Sequence, residues 1–124
     1  MDSFSIFFPH ELSVNEISPA ILAVGKVHVE NARYMVVTNG DGAVWISIHQ
    51  TSELKDNGYD NEDEWPLPKD KVGSAISILV RRNDESTGLA NTIAHQLVKT
   101  LDGRISWGGM THWERLYKRS YPER

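Results

Sequence analysis

The chain has 124 residues, 40% of them hydrophobic and 24% charged, which is ordinary usage for one globular domain. It contains no cysteine, so disulfides, thiol nucleophiles and thiolate zinc sites are excluded. The net charge of −4 argues against general nucleic-acid binding. No apolar run reaches the ~18 residues that a transmembrane helix needs. The N-terminus lacks the basic region of a signal peptide, so we expect a cytoplasmic protein.

Alternation of apolar and polar residues predicts the strands. Asn39-Gly40-Asp41-Gly42 predicts a hairpin turn between two of them, because Asn and Gly tolerate positive φ. The segment 75–81 is nearly all apolar, which is typical of a central strand covered on both faces. The predicted strands span residues 4–8, 26–30, 34–38, 43–50, 75–81 and 104–107.

The clearest helix is predicted at residues 85–101, with Asp84 as N-cap and Gly103 as the left-handed residue that ends it. One face of this helix is apolar, because large aliphatic residues recur at every fourth position: Leu89, Ile93, Leu97 and Leu101. Thr111 and Glu114 have the spacing of a capping box that opens a C-terminal helix.

A further short helix is predicted within residues 12–24. Both Ser13-x-x-Glu16 and Ser18-Pro19 are start signals for it. This order of elements predicts a single α+β domain over residues 1–124, with a mostly antiparallel sheet of five to six strands. The main helix should pack on one face and the short C-terminal helix should follow. The path from Ile76 through the main helix to Ile105 is expected to be a right-handed parallel crossover.

Residues 51–70 are the one compositional break. They hold seven carboxylates against two lysines, a net charge of −5 in a chain whose total is −4. Asn57-Gly58, Pro66 and Pro68 interrupt regular structure there. We therefore predict a long acidic loop at residues 51–72 that lies inside the domain, and we call it the acidic loop.

The acidic loop also carries aromatic residues, which supply rigid contact area, while its carboxylates attract a basic partner. It lacks the spacing of an EF-hand, so it is not predicted to be a calcium loop. The alternative is a solvated loop that only keeps the protein soluble. The candidate partner-binding residues are Glu53, Asp56, Tyr59, Asp60, Glu62, Asp63, Glu64 and Trp65.

The histidines suggest a second hypothesis. His28 and His49 both fall on the polar side of their strands, and if the strands are neighbours the two rings could hold a metal with a loop carboxylate. The chain would then be a small metal- or ligand-binding enzyme; otherwise these are two exposed strand positions. His95, opposite the leucines of its helix, is expected to be exposed. No nucleophile or phosphate-loop motif is present, so we assign no catalytic residue, no metal ligand and no cofactor.

Residues 104–124 have the opposite charge, with five basic residues against two acidic ones. This end could contact RNA beside Trp107, Trp113 and Tyr117, as in a nucleic-acid-associated regulatory protein. The favoured alternative places Trp113 and Tyr117 in the core, with the basic residues facing water and Lys118 and Arg119 stabilising the end of the helix.

Three successive segments carry a resemblance to a known class. They are a strand (Ala75-Ile76-Ser77-Ile78-Leu79-Val80), an alanine- and leucine-containing helix (89–97) and a strand that follows a glycine (101–105). A small, acidic, cysteine-free α+β chain with this arrangement resembles the bacterial immunity proteins of contact-dependent growth inhibition and other polymorphic toxin systems. The likeness is architectural and covers a minor part of the chain, so no residue role follows from it.

The resemblance implies tight binding to one cognate toxin C-terminal domain, often a nuclease, without catalysis by the immunity protein. A cationic toxin domain would be steered electrostatically to the acidic loop. A monomer and a homodimer are both compatible with this role.

Overall fold

The computed structural model describes residues 2–54, 59 and 62–122. Six strands form one antiparallel sheet in the order β2-β3-β4-β5-β1-β6. The strands are β1 (Asp2–Phe8), β2 (Lys26–Asn31), β3 (Tyr34–Asn39), β4 (Gly42–Gln50), β5 (Ser74–Val80) and β6 (Arg104–Ser106). The helices are α1 (Val14–Ile21), α2 (Asp84–Leu101) and α3 (Thr111–Ser120). The predicted α+β fold is confirmed.

The main crossover connects strands that are not neighbours. β5 and β6 both pair antiparallel with β1, which lies between them, so they run parallel to each other. The connection through α2 is therefore a parallel crossover, as expected, and it passes over β1. β6 and β2 are left as the two edges of the sheet.

All three helices contribute to one core on the same face of the sheet. Every second residue of the central strands points to this face, as the alternation predicts. The aliphatic face of α2 packs there, together with α1 and one buried tryptophan of α3. The core includes Phe4, Ile6, Ile17, Ile21, Val44, Ile46, Ile76, Ile78, Leu89, Ile93, Leu97 and Trp113.

The short helix predicted within residues 12–24 is α1, and it begins at the first of the two start signals. The side chain of Ser13 accepts hydrogen bonds from the N–H groups of Asn15 and Glu16, and the Glu16 carboxylate accepts one from the Ser13 N–H. This is the capping box. Pro19 lies inside the helix, so Ser18-Pro19 does not start it.

The start of α2 differs from the prediction by one residue. Asn83 is the N-cap, and its Oδ1 accepts from the Ser86 N–H at 2.8 Å. Asp84, predicted as the cap, is the first helical residue. Its carboxylate still lies in the first turn, where the positive end of the helix dipole favours a negative charge.

The end of α2 is shifted in the same way. The left-handed residue is Asp102, with φ of 58°, and not Gly103. Gly103 is required for another reason, because a Cβ there would lie 2.6 Å from Cγ2 of Ile6.

The predicted capping box of α3 is wrong. Gly108 and Gly109 have φ of 59° and 87° and turn the chain sharply after β6. As a result Met110 is the N-cap, without a side-chain hydrogen bond, and Thr111 is already helical. The N–H groups of Trp113 and Glu114 are both bonded to the Met110 carbonyl.

The described residues of the acidic loop pack on the opposite face of the sheet. Phe7 of β1 and Ala75 of β5 point to this side and form a second, smaller core with Leu54 and Val72. The described parts of the loop contain 3-10 turns at Thr51–Glu53, Glu62–Glu64 and Lys69–Lys71. The predicted covering of both faces of β5 therefore holds at Ala75, whereas Leu79 on the same face is exposed. Within the described residues, no helix has the length and apolar character required to cross a bilayer.

Candidate functional site

The two aromatic residues predicted to bind a partner face the sheet. Tyr59 meets Phe7 edge to face, with ring centroids 5.6 Å apart, and Trp65 meets the same ring at 5.5 Å. Both side chains are half-buried. The aromatic residues that we expected to contact a partner therefore anchor the acidic loop to the sheet.

The hydroxyl of Tyr59 adds a polar anchor. Its oxygen lies 2.7 Å from Oγ of Ser5 and is also hydrogen-bonded to Ser77. Burial raises the pKa of the Tyr59 hydroxyl, and the two serine hydrogen bonds oppose that rise. The phenol thus stays protonated at neutral pH and can donate to a serine.

These serines belong to a row that crosses four strands. The register aligns Ser47 of β4 with Ser77 of β5, Ser77 with Ser5 of β1, and Ser5 with Ser106 of β6. The sequence shows each serine only as a polar position in an alternating strand. Their alignment depends on the strand order, which the sequence analysis did not predict.

Glu53 ends the 3-10 turn that follows β4, and it is ion-paired with Arg33. His49 lies nearby, with its ring 5.9 Å from that of Tyr59. Burial lowers the pKa of His49, while Glu53 raises it and Arg33 lowers it further. Because the charge of Glu53 is balanced by Arg33, this predicted partner-binding carboxylate adds little to the attraction of a basic partner.

The remaining predicted carboxylates lie in the middle of the acidic loop. Asp63 and Glu64 are exposed, in the 3-10 turn Glu62–Glu64. The backbone of Glu62 is part of that turn. Asp56 and Asp60 lie outside the described residues. Two of the predicted charges are therefore placed on the solvent side of a loop whose aromatic side chains point inward.

The structure separates the two histidines proposed as a metal pair. β3 lies between β2 and β4, and the register aligns His28 with Trp45 through Val36. His49 is four residues further along β4, so the two Cα atoms are on the order of 16 Å apart. That distance does not allow one metal ion to bind both rings. Among the described residues, no group of three potential ligands could hold a metal ion.

The C-terminal helix follows the favoured interpretation at Trp113, whereas Tyr117 lies at the border of the core. Trp113 is buried against Phe4, with ring centroids 5.6 Å apart, and Tyr117 is half-buried. Arg115, Lys118 and Arg119 are exposed, as predicted for basic residues on the solvent side of the helix.

A cleft that the sequence analysis missed lies between α2, β6 and α3. We call it the aromatic cleft; its volume is about 580 Å³. His95, predicted to be exposed, is half-buried here and stacks on Tyr121 with ring centroids 3.8 Å apart. The cleft is lined mainly by Pro66, His95, Arg104, Trp107, Tyr117, Lys118 and Tyr121.

The acidic loop reaches the rim of this cleft. Glu64 and Pro66 line a second cavity of about 350 Å³, with β6 and the Gly108-Gly109 turn on its other side. Both cavities share Pro66, Ile105, Trp107 and Glu114. The exposed acidic part of the loop is therefore next to the free edge of the sheet.

Comparison with known proteins gives no match: no protein-family model, no curated protein and no solved structure is similar to this chain. The resemblance to immunity proteins therefore stays a hypothesis drawn from the sequence.

Proposed function

We propose that this chain is a cytoplasmic immunity protein that binds a cognate, cationic toxin domain through the acidic loop and neutralises it without catalysis. The observation that carries this proposal is the two-sided character of the loop. Tyr59 and Trp65 attach it to Phe7 on the sheet, whereas Asp63 and Glu64 face solvent.

A loop attached in this way differs from a solvated acidic tail. Leu54 of the loop is fully buried against the sheet, and the Tyr59 hydroxyl is hydrogen-bonded to Ser5 of β1. Side chains on a pre-ordered segment lose less conformational entropy when a partner binds. The attachment therefore favours affinity, while the carboxylates accelerate the encounter with a basic surface.

The two other hypotheses gain less from the structure. His28 and His49 are too far apart to share a metal ion. On α3, Trp113 is committed to the core, so it offers no face on which an RNA base could stack. The metal-dependent enzyme loses the histidine pair on which it was based, and the RNA-contacting patch loses Trp113, one of its three aromatic residues.

A growth test examines the proposed function directly. The C-terminal domain of the protein encoded immediately upstream is expressed in bacteria, with and without this chain. We expect the domain to stop growth and the chain to restore it. A toxic domain that this chain does not neutralise, or a harmless domain, would contradict the proposal.

A charge variant then tests the surface. In the double variant Asp63→Asn/Glu64→Gln, we expect a slower association with the toxin domain at low salt and a smaller effect of added salt. The control is Glu11→Gln/Asp84→Asn, which removes two exposed carboxylates elsewhere. Association rates are measured by stopped-flow mixing. Equal rates for the two variants would show that Asp63 and Glu64 do not lie in the interface with the toxin domain.

A further inference from the structure

The aromatic cleft has the dimensions of a ligand site. Its volume of about 580 Å³ lies within the range of roughly 300–1,000 Å³ that is typical of small-molecule pockets. It is bounded by α2, β6 and α3 and by residues that directly follow β6 and α3, among them Trp107 and Tyr121. Pro66 of the acidic loop closes one end.

The cleft is walled by a continuous series of aromatic rings. Ring centroids are 5.4 Å apart between Trp107 and Tyr117, and 5.3 Å apart between Tyr117 and Tyr121. Tyr121 in turn stacks on His95, with an interplanar angle of 5°. All four rings are half-buried, whereas Trp113 of α3 is buried in the core. Such rings form a surface on which another planar ring can stack.

Positive charge lies beside these rings. Arg104 and Lys118 line the cleft with one carboxylate, Glu114. Nζ of Lys118 is 3.8 Å from Oε1 of Glu114, and Nη1 of Arg104 is 2.7 Å from Oδ1 of Asp102. Both ion pairs are on the surface, where such pairs contribute little free energy. A bound anion can therefore recruit either cation at small cost, and charge-assisted contacts to an anion are strong.

We propose that the aromatic cleft binds a planar aromatic ring that carries an anionic group, in the size range of a mononucleotide. The ring stacks against Trp107 and Tyr117, and the anion contacts Lys118 and Arg104. This chemistry belongs both to nucleotides and to aromatic carboxylic acids. The proposal does not depend on toxin binding, because none of its four contact residues belongs to the acidic loop.

Titration calorimetry with matched probes tests both halves of the ligand. AMP carries ring and phosphate, adenosine lacks the phosphate, and ribose 5-phosphate lacks the ring. We expect AMP to bind saturably and each partial probe to bind at least tenfold more weakly, because charged hydrogen bonds and ring stacking each contribute an amount of that order. Indole-3-acetate distinguishes the two classes of ligand. If it binds more strongly than AMP, the ligand is an aromatic carboxylic acid; if it binds more weakly, the ligand is a nucleotide.

Substitutions of cleft residues test whether the probe binds in the aromatic cleft. Lys118→Gln should weaken binding of the stronger probe about tenfold, and Tyr121→Ala should also weaken it by loss of one ring. Arg115→Gln is the control, because it removes a positive charge from the same helix outside the cleft. Circular dichroism checks that each variant is folded. Absence of saturable binding at roughly millimolar probe, equal binding of adenosine and AMP, or equal effects of the Lys118 and Arg115 variants would overturn the proposal.

Discussion

The proton affinity of His49 depends on its burial beside the ring of the loop residue Tyr59. Alternation in β4 correctly predicts that the side chain points away from the main core, on the face where Trp45 and Ser47 also lie. The sequence does not show that Tyr59 lies over this face, ten residues later. Burial under the loop lowers the pKa of His49 below the ordinary histidine value. The folded protein therefore favours the neutral ring.

The sign of the resulting pH dependence follows from linkage. The unfolded chain binds a proton on His49 near its ordinary pKa of ~6.5, whereas the folded chain binds it only at lower pH. The contribution of the neutral His49 ring to the free energy of unfolding is therefore at its full value above about pH 6.5. It is lost as the pH falls through the pKa that His49 has in the folded protein.

We predict that His49→Phe, which keeps a ring against Tyr59, reduces this decline. Urea unfolding of the wild type and of His49→Phe at about pH 7.5 and about pH 5.5 measures the change in the free energy of unfolding. The free energy of unfolding should fall more on acidification in the wild type than in the variant. The same fall in both proteins would show that the proton affinity of His49 does not change on folding.

At the scale of elements, α2 contains a glycine with no packing role. A Cβ added at Gly88 would meet nothing within 4 Å. Its φ is not in the left-handed region, since the positive-φ glycines of the described residues are Gly40, Gly108 and Gly109. Alanine restricts the unfolded chain and favours a helix.

Gly88→Ala should therefore raise the free energy of unfolding by about 0.5–1 kcal/mol. Gly103→Ala is the contrasting variant, because its new Cβ would lie 2.6 Å from Ile6 and 2.9 Å from Phe8 in the core. That variant should be destabilised. Thermal and urea unfolding measure both changes, and a destabilised Gly88→Ala would show that the glycine has a role that the packing does not reveal.

The helix ends show how far local rules extend. The Ser13 and Glu16 pattern does begin α1, because the capping box is made entirely of residues within one turn. Asn83 precedes α2 where Asp84 was expected, since both residue types can cap and only the backbone angles choose between them. At α3, the turn at Gly108-Gly109 overrides the pattern of Thr111 and Glu114.

At the scale of the whole molecule, the sheet separates two cores of unequal size. The periodicity of strands and helices predicts the larger core and the α+β class, because each element shows its apolar face within a few residues. The smaller core joins Phe7, Leu54, Val72 and Ala75 from three separate parts of the chain. No local pattern relates these positions, so the inward side of the acidic loop, and with it the role of Tyr59 and Trp65, was not predictable.

The smaller core should control whether the acidic loop stays on the sheet. Leu54 is fully buried in it, and Leu97 is a fully buried leucine of the larger core. Leu54→Ala and Leu97→Ala should each lower the free energy of unfolding by about 2–5 kcal/mol, the usual effect of removing a buried leucine side chain. The two losses should nevertheless affect different regions, because parts of a protein can open independently.

Limited trypsin digestion distinguishes the regions. Lys69 and Lys71 lie in the loop, so Leu54→Ala should be cleaved there faster than Leu97→Ala when urea brings both proteins to the same free energy of unfolding. Mass spectrometry of the first fragments locates the cut. Identical first fragments and rates would mean that the loop opens only when the whole domain unfolds. A faster cut in Leu54→Ala alone would show that the smaller core holds the loop in place, as a pre-ordered acidic surface requires.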